Sequence, residues 1–173
     1  MIGAAPTFTP WRAVTFALPI ASIIVAIMMM PLPFAIKLGS YWLMPSLPLI
    51  TIFLWTTWRP DLLPPVTLLI AGLLMDFLID GPIGASSLAF LTAYSITASQ
   101  RVYWISAPEG GMLVGFGLVL LVCGIVTWLA NSFAHGELLN PMPVVLEAIV
   151  SVMVFPLARR MLSPLHRLAG PAV

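Results

Sequence analysis

Positions 13–30 form an almost wholly apolar run without a charged residue. A helix needs about 20 such residues to cross the roughly 30 Å hydrocarbon core of a bilayer. Comparable runs follow at about 41–57, 62–79, 84–105, 111–131 and 142–158. With 13–31 as the first, they make six expected spans in one integral domain over 1–173. The composition agrees: hydrophobic residues are 61% of the chain, charged residues 8%, and mean hydropathy is +1.08. A soluble domain is nearer 45–50% apolar. The fold expected is all-α, a polytopic membrane protein of six transmembrane helices. Six spans occupy the 173 residues, which excludes a soluble catalytic module, a nucleotide fold or a nucleic-acid-binding surface. The first run exceeds a signal-peptide core and lacks a small-residue cleavage site, so it reads as an uncleaved span.

Prolines punctuate the runs. Pro45 and Pro48 interrupt the second, Pro64 and Pro65 start the third, and Pro156 lies near the end of the sixth. The second half of the fourth run, from Tyr94 to Arg101, is polar for a lipid-facing helix. It is expected to pack inside the bundle, with Arg101 reaching the inner surface. With the N-terminus cytoplasmic, Arg12, Arg59, Arg101, Arg159, Arg160 and Arg167 fall inside and Lys37 outside, as the positive-inside rule requires. Both termini are then cytoplasmic. Trp11, Trp55, Trp58, Tyr103 and Trp104 would mark the inner interface, and Tyr41, Trp42 and Trp128 the outer one.

Acids are the groups that need explaining. Asp76 and Asp80 lie four residues apart at the outer end of span three, on one helix face. Glu147 lies about two turns into span six, also in the outer half. A carboxylate costs roughly 2.5–3.5 kcal/mol at the centre of a membrane helix. A helix C-terminus disfavours it further. Compensation has to come from Lys37, water, the start of span four with Ser86 and Ser87, or protonation. For Asp76 the plainer reading is a cap on span four; the alternatives are a substrate, cation, proton or partner contact. Asp80 reads as a solvated interfacial residue, and Glu147 as facing the bundle or a partner helix. Gly81, Pro82 and Gly84 form a turn, with anion binding at the helix start behind it as the alternative. Arg59 and Asp61 read as a local pair in a short inner loop.

Other signals are weaker. Gly111 and Gly115, then Gly117 and Gly124, and the stripe Ala89, Ala93, Thr97 let helices approach closely, within the chain or with a partner helix. Cys123 is the lone cysteine and reads as a small buried hydrophobe. His135 and His166 lack neighbours at metal-ligand spacing. No P-loop, G-x-S-x-G or H-E-x-x-H motif is present. The chain is therefore expected not to be an enzyme, and no metal or other cofactor is expected.

Between Arg59 and Arg101 the residues resemble a known family. Arg59-Pro60-Asp61, an apolar helix, then Gly72-Leu73-Leu74-Met75-Asp76-Phe77-Leu78-Ile79-Asp80-Gly81-Pro82-Ile83-Gly84 and a small-residue helix resemble the rod shape-determining protein MreD family. Ile83 stands where the family's turn commonly has Leu, and the Pro-rich second run has no counterpart in the family pattern. The resemblance implies an inner-membrane, non-catalytic scaffold subunit of the bacterial cell-elongation complex. Its implied partners are MreC and, through it, MreB, RodA and a class B penicillin-binding protein, at the service of side-wall peptidoglycan synthesis and rod shape. The implied fold is similar to the S-component of energy-coupling-factor transporters. A substrate-binding, S-component-like transporter subunit is therefore the alternative reading. On the scaffold reading the partner contact involves spans three and four and their turn.

Overall fold

The computed structural model describes residues 10–30, 36–38, 41–106 and 108–168. The described chain is all-helical apart from one two-stranded ribbon. Helix α1 is Pro10–Met29, followed by strands β1 (Ile36–Leu38) and β2 (Tyr41–Leu43). Helix α2 is Leu47–Trp58, a 3-10 turn spans Pro60–Leu62, and α3 is Pro65–Ile79. Then come α4 (Ala85–Ser99), α5 (Arg101–Ser106), α6 (Glu109–His135) and α7 (Met142–Leu168).

The six apolar runs become helices of unequal length. Gly110–His135 and Met142–Leu165 are long and apolar enough to cross a membrane. The apolar stretches Ala17–Met29, Leu47–Trp58 and Pro65–Ile79 are shorter. The second run departs most from expectation. Its first residues pair as a ribbon, Ile36 opposite Leu43 and Leu38 opposite Tyr41, and the helix starts only at Leu47. Proline explains the shift. Pro48 lacks an N–H and is accommodated in the first helical turn, so it opens the helix instead of interrupting it. Pro45 holds Met44 away from helical backbone. Gly39-Ser40 in the sequence is a hairpin-type dipeptide that signals the ribbon.

α2 is the axis of the bundle. Residues 48–57 are all buried, as a helix that is apolar all round must be. It packs against α1, α4 and α7. Thr51 and Thr57 return their hydroxyls to the carbonyls of Leu47 and Phe53. α4 is the second inner helix, between α3, α2 and α6. Its stripe Ala89, Ala93 and Thr97 is buried, so these residues serve contacts within the chain. The outward hydroxyls of Thr92, Ser95 and Ser99 donate to the carbonyls of Leu88, Leu91 and Ile96. The polar half of this run therefore does not all point inward, as expected; self-bonding lets it face outward.

The fourth run is broken at Gln100. Arg101 is half-buried. Its Nε donates to Thr57 O at 3.2 Å and its Nη2 to Trp58 O at 3.1 Å, closing the carbonyl end of α2. Trp104 then lies buried against Gly115, where a Cβ would overlap its ring. These two anchors turn the chain into the separate helix α5. The sixth run continues to Leu168 through Pro156 and Pro164. Each interior proline removes one backbone hydrogen bond. Around Pro156, whose own ring is exposed, the buried Phe155 and Ala158 hold the helix in place.

Phe53, Phe116 and Phe155 tie α2, α6 and α7 together. Phe116 stacks on Phe155 at 4.6 Å, and Phe53 meets them at 5.3 and 5.9 Å. The interfacial aromatics divide. Trp55 is fully buried and donates Nε1–H to Ser22 Oγ at 2.9 Å, and Trp104 is buried too, so neither stands at a surface as expected. A tryptophan N–H needs a partner when desolvated, and Ser22 supplies one. Tyr103 is exposed. The side chains of Trp11, Arg12, Lys37, Tyr41, Trp42 and Arg167 lie outside the described residues.

The outer faces are apolar. On α6 Val114, Leu118, Leu121, Ile125, Leu129 and Phe133 are exposed at helical spacing, as are Val145, Ile149, Met153, Leu157 and Met161 on α7. The described arginines gather at one end, with Asp61 beside Arg59. Arg59, Arg101, Arg159 and Arg160 lie where α2 and α4 finish and α6 begins. Asp76, Asp80 and Glu147 lie at the opposite end. Phe116→Ala should lower stability by about 3–5 kcal/mol through the cavity it leaves. An unfolding midpoint, followed by tryptophan fluorescence in detergent, that stays at the wild-type value would contradict this role.

Candidate functional site

The turn between α3 and α4 is built on Asp76. Its Oδ2 accepts from Gly84 N–H at 2.7 Å and its Oδ1 from Ser86 N–H at 3.0 Å. The residue is 2% exposed. These are free donors at the start of α4, where the helix dipole favours negative charge. The penalty of standing at the C-terminal end of α3 is offset by standing at the N-terminal end of α4. Gly72, one turn earlier on the same face, lets the two helices meet: a Cβ there would overlap the Ser87 backbone. Ser87 Oγ in turn donates to Leu69 O at 2.9 Å.

The turn itself needs two left-handed residues. Asp80 has φ 53° and Gly84 φ 96°. Gly81 N–H bonds to Asp76 O at 3.0 Å, the six-to-one bond of a Schellman turn. Asp80 is exposed and no described residue bonds its side chain. Phe77 and Ile83 flank it, each 77% exposed, while Gly81 and Pro82 are half-buried. The tip thus presents two apolar side chains around one carboxylate.

Asp76 and Glu147 line one cavity of about 230 Å³, bounded by residues of α2, α3, α4, α6 and α7. Gly81, Pro82 and Ser86 contribute from the turn, and Ser46, Thr127, Asn131 and Ser151 add polar wall. Glu147 is half-buried. Ser151 links two of these elements: its Oγ donates to Glu147 O at 2.7 Å and accepts from Ser46 N–H at 2.8 Å. Cys123 is buried on the same wall, its Sγ 3.4 Å from Ala89 O. Thr127 and Asn131, four apart on α6, are a polar pair within an apolar run, a signal that sequence reading passed over.

Asp80 is absent from the cavity wall, and Arg59 and Asp61 sit at the other end of the molecule. Arg59 is buried, with its Nε 3.9 Å from Asp61 Oδ2, a contact too long for a hydrogen bond. His135 Nδ1 is 2.8 Å from Asn131 O. Among the described residues no three His, Cys, Asp or Glu side chains converge as a metal site would require.

Fold and site together define a helical bundle with a capped inter-helix turn and a cavity whose largely apolar wall carries two acids. No family model, curated protein or solved structure matches this chain.

Asp76→Ala should cost about 1–3 kcal/mol, because two buried N–H groups lose a charged acceptor. Asp76→Asn, which keeps one acceptor oxygen, should cost less. Equal thermal unfolding midpoints for all three proteins would sink the capping role. Asp80→Gly should raise stability by up to about 1 kcal/mol by relieving left-handed backbone strain; a lower midpoint would show that its carboxylate has a structural partner.

Proposed function

We propose that the chain is a non-catalytic, membrane-embedded scaffold subunit of the MreD type. On this reading it crosses the bacterial inner membrane six times with both termini in the cytoplasm. It binds MreC and, through it, MreB, RodA and a class B penicillin-binding protein, in support of side-wall peptidoglycan synthesis. The observation that carries the reading is the dual use of the stretch bearing the family resemblance. Its buried members, Gly72 and Asp76, lock α3 to α4, while Phe77, Asp80 and Ile83 stand outward on the locked turn. A rigid tip with two exposed apolar side chains beside a carboxylate suits a protein contact, since a preorganised surface loses little entropy on binding.

Support for the six spans comes from the outer faces and the charges. Exposed faces of α3, α6 and α7 are apolar, as lipid requires, and apolar surface of this extent is unusual on a soluble monomer. α2 rises only about 18 Å at 1.5 Å per residue, yet it is buried on every side, so protein covers the irregular backbone at its ends. The described arginines gather at one end, which the reading places in the cytoplasm.

A substrate-binding subunit of the S-component type is the second reading. The cavity, with Asp76 and Glu147 on its wall, favours it. A vitamin that raises the unfolding temperature of the purified protein would move the balance to it.

Co-expression with MreC tests the first reading. Phe77→Ser together with Ile83→Ser should reduce co-purification at least severalfold without lowering the unfolding midpoint, and depletion of the protein should round the cells. Undiminished recovery of MreC by the double variant would remove the turn from the interface, and failure of the unmodified chain to retain MreC would remove the scaffold reading itself.

A further inference from the structure

At the end of the molecule where the arginines gather, a groove of about 740 Å³ lies between the start of α6 and the later part of α7. Leu113 and the buried Phe155 give it an apolar wall. The charged residues that line it are Arg159 and Arg160, both cations. Gly110 lines it without a side chain, and no atom lies within 4 Å of where a Cβ would stand. Neither arginine is occupied with the carbonyl end of α2, which Arg101 closes.

Proline decides which side chains can donate there. Pro164 has no N–H to give to Arg160 O, and Ser163 Oγ donates to that carbonyl instead, at 3.0 Å. The Ser163 proton is thus used within the helix, and the two guanidinium groups are the side-chain donors of the groove. Arg160 is exposed, and among the described residues none bonds its guanidinium. Such a group presents five N–H donors in a planar fork that matches a phosphate. Height along the helices matters as much. The stretch of α7 long enough to cross a membrane ends at Leu165. Arg159 stands about 9 Å short of that end at 1.5 Å per residue, and a long arginine stem carries its fork back to head-group level. Beyond the arginines, toward the middle of the helices, Met153 and Leu157 on α7 and Val114 on α6 are exposed and apolar. A cationic rim therefore borders a surface suited to acyl chains.

We propose that this groove holds the head group of an anionic phospholipid. The phosphate meets Arg159 and Arg160, and an acyl chain follows Leu157 into the bilayer. Charge complementarity selects the anion, and the apolar wall selects a lipid over a free phosphate, which would leave Leu113 and Phe155 uncovered. At about 30 Å³ per water the groove has room for roughly 25 waters, ample for a glycerophosphate head and the start of its chains. Basic pockets between membrane helices on the cytoplasmic side hold such head groups, and the cytoplasmic leaflet is the one rich in anionic lipid. The inference rests on α6 and α7 crossing the membrane with this end in the cytoplasm. It does not rest on MreC, since neither Phe77 nor Ile83 lines the groove.

The test uses the full chain extracted from membranes in detergent and titrated in turn with dioleoyl phosphatidylglycerol, dioleoyl phosphatidylcholine and inorganic phosphate. Native mass spectrometry counts bound molecules, and thermal unfolding reports stabilisation. Phosphatidylglycerol should bind saturably and at least tenfold more tightly than phosphatidylcholine, with an affinity that falls as salt rises. Inorganic phosphate should not bind. Arg160→Gln should weaken phosphatidylglycerol severalfold without moving the midpoint of the lipid-free protein, because the residue is exposed. Gly110→Leu, which fills open space in the first turn of a helix, should weaken it without loss of folding. Glu109 opens α6 with its side chain outside the described residues; Glu109→Gln should bind at least as tightly as the unmodified chain. Equal binding of the two lipids would overturn the proposal, as would phosphatidylglycerol binding that ignores both Arg160→Gln and Gly110→Leu. Inorganic phosphate binding as well as the lipid, or a photo-crosslinker at Leu157 that captures a polypeptide and no lipid, would also overturn it by giving the groove to another occupant. A protein that retains MreC but binds no lipid would remove this inference and leave the scaffold reading standing. Recovery of the chain in the soluble fraction without detergent would remove the membrane reading on which both depend.

Discussion

Two hydrogen bonds from the start of α4 to the carboxylate of Asp76 organise the acidic half of the molecule. They place a negative charge between opposed helix ends, where the donors of one outweigh the acceptors of the other. Everything nearby depends on that placement. Gly72 must lack a side chain so that α3 can lie against Ser87, and Gly84 must take a positive φ so that its N–H turns back toward Asp76. Asp80 accepts left-handed backbone to close the turn. The motif is thus a geometric unit, each member needed because the others are there.

The opposite end works by a different device. Arg101 closes the carbonyl end of α2, as Asp76 closes the amide end of α4. Cation on helix C-terminus and anion on helix N-terminus are the favourable pairings. The placement of Arg101 and Asp76 at opposite ends is therefore partly a consequence of capping inner helices whose ends are buried. Between the ends, the phenylalanine cluster joins α2, α6 and α7 and leaves the space beside Glu147 open.

Much of the helix layout was legible because apolar runs separated by proline and glycine can fold in few ways. The start of α3 at Pro65 and the turn at 81–84 follow from chain chemistry alone. The start of α2 was misplaced because hydropathy does not distinguish an apolar strand from an apolar helix; Pro48 was the better guide. The break at Gln100 was hidden because nothing in that segment forbids a continuous helix. Arg101 and Trp104 bend it toward partners that are distant in sequence. Burial of Trp55 was missed for the same reason: its partner Ser22 lies on α1.

The sequence alone determined that this chain makes apolar helices, where most begin, and that Asp76 requires compensation, because cost and periodicity are local properties. Which donors compensate Asp76 was decided by the tertiary structure. So was the meeting of Asp76 with Glu147, about seventy positions later, on one cavity wall. Hydrophobic periodicity says which face of a helix turns away from water; it does not say which helix will lie against that face.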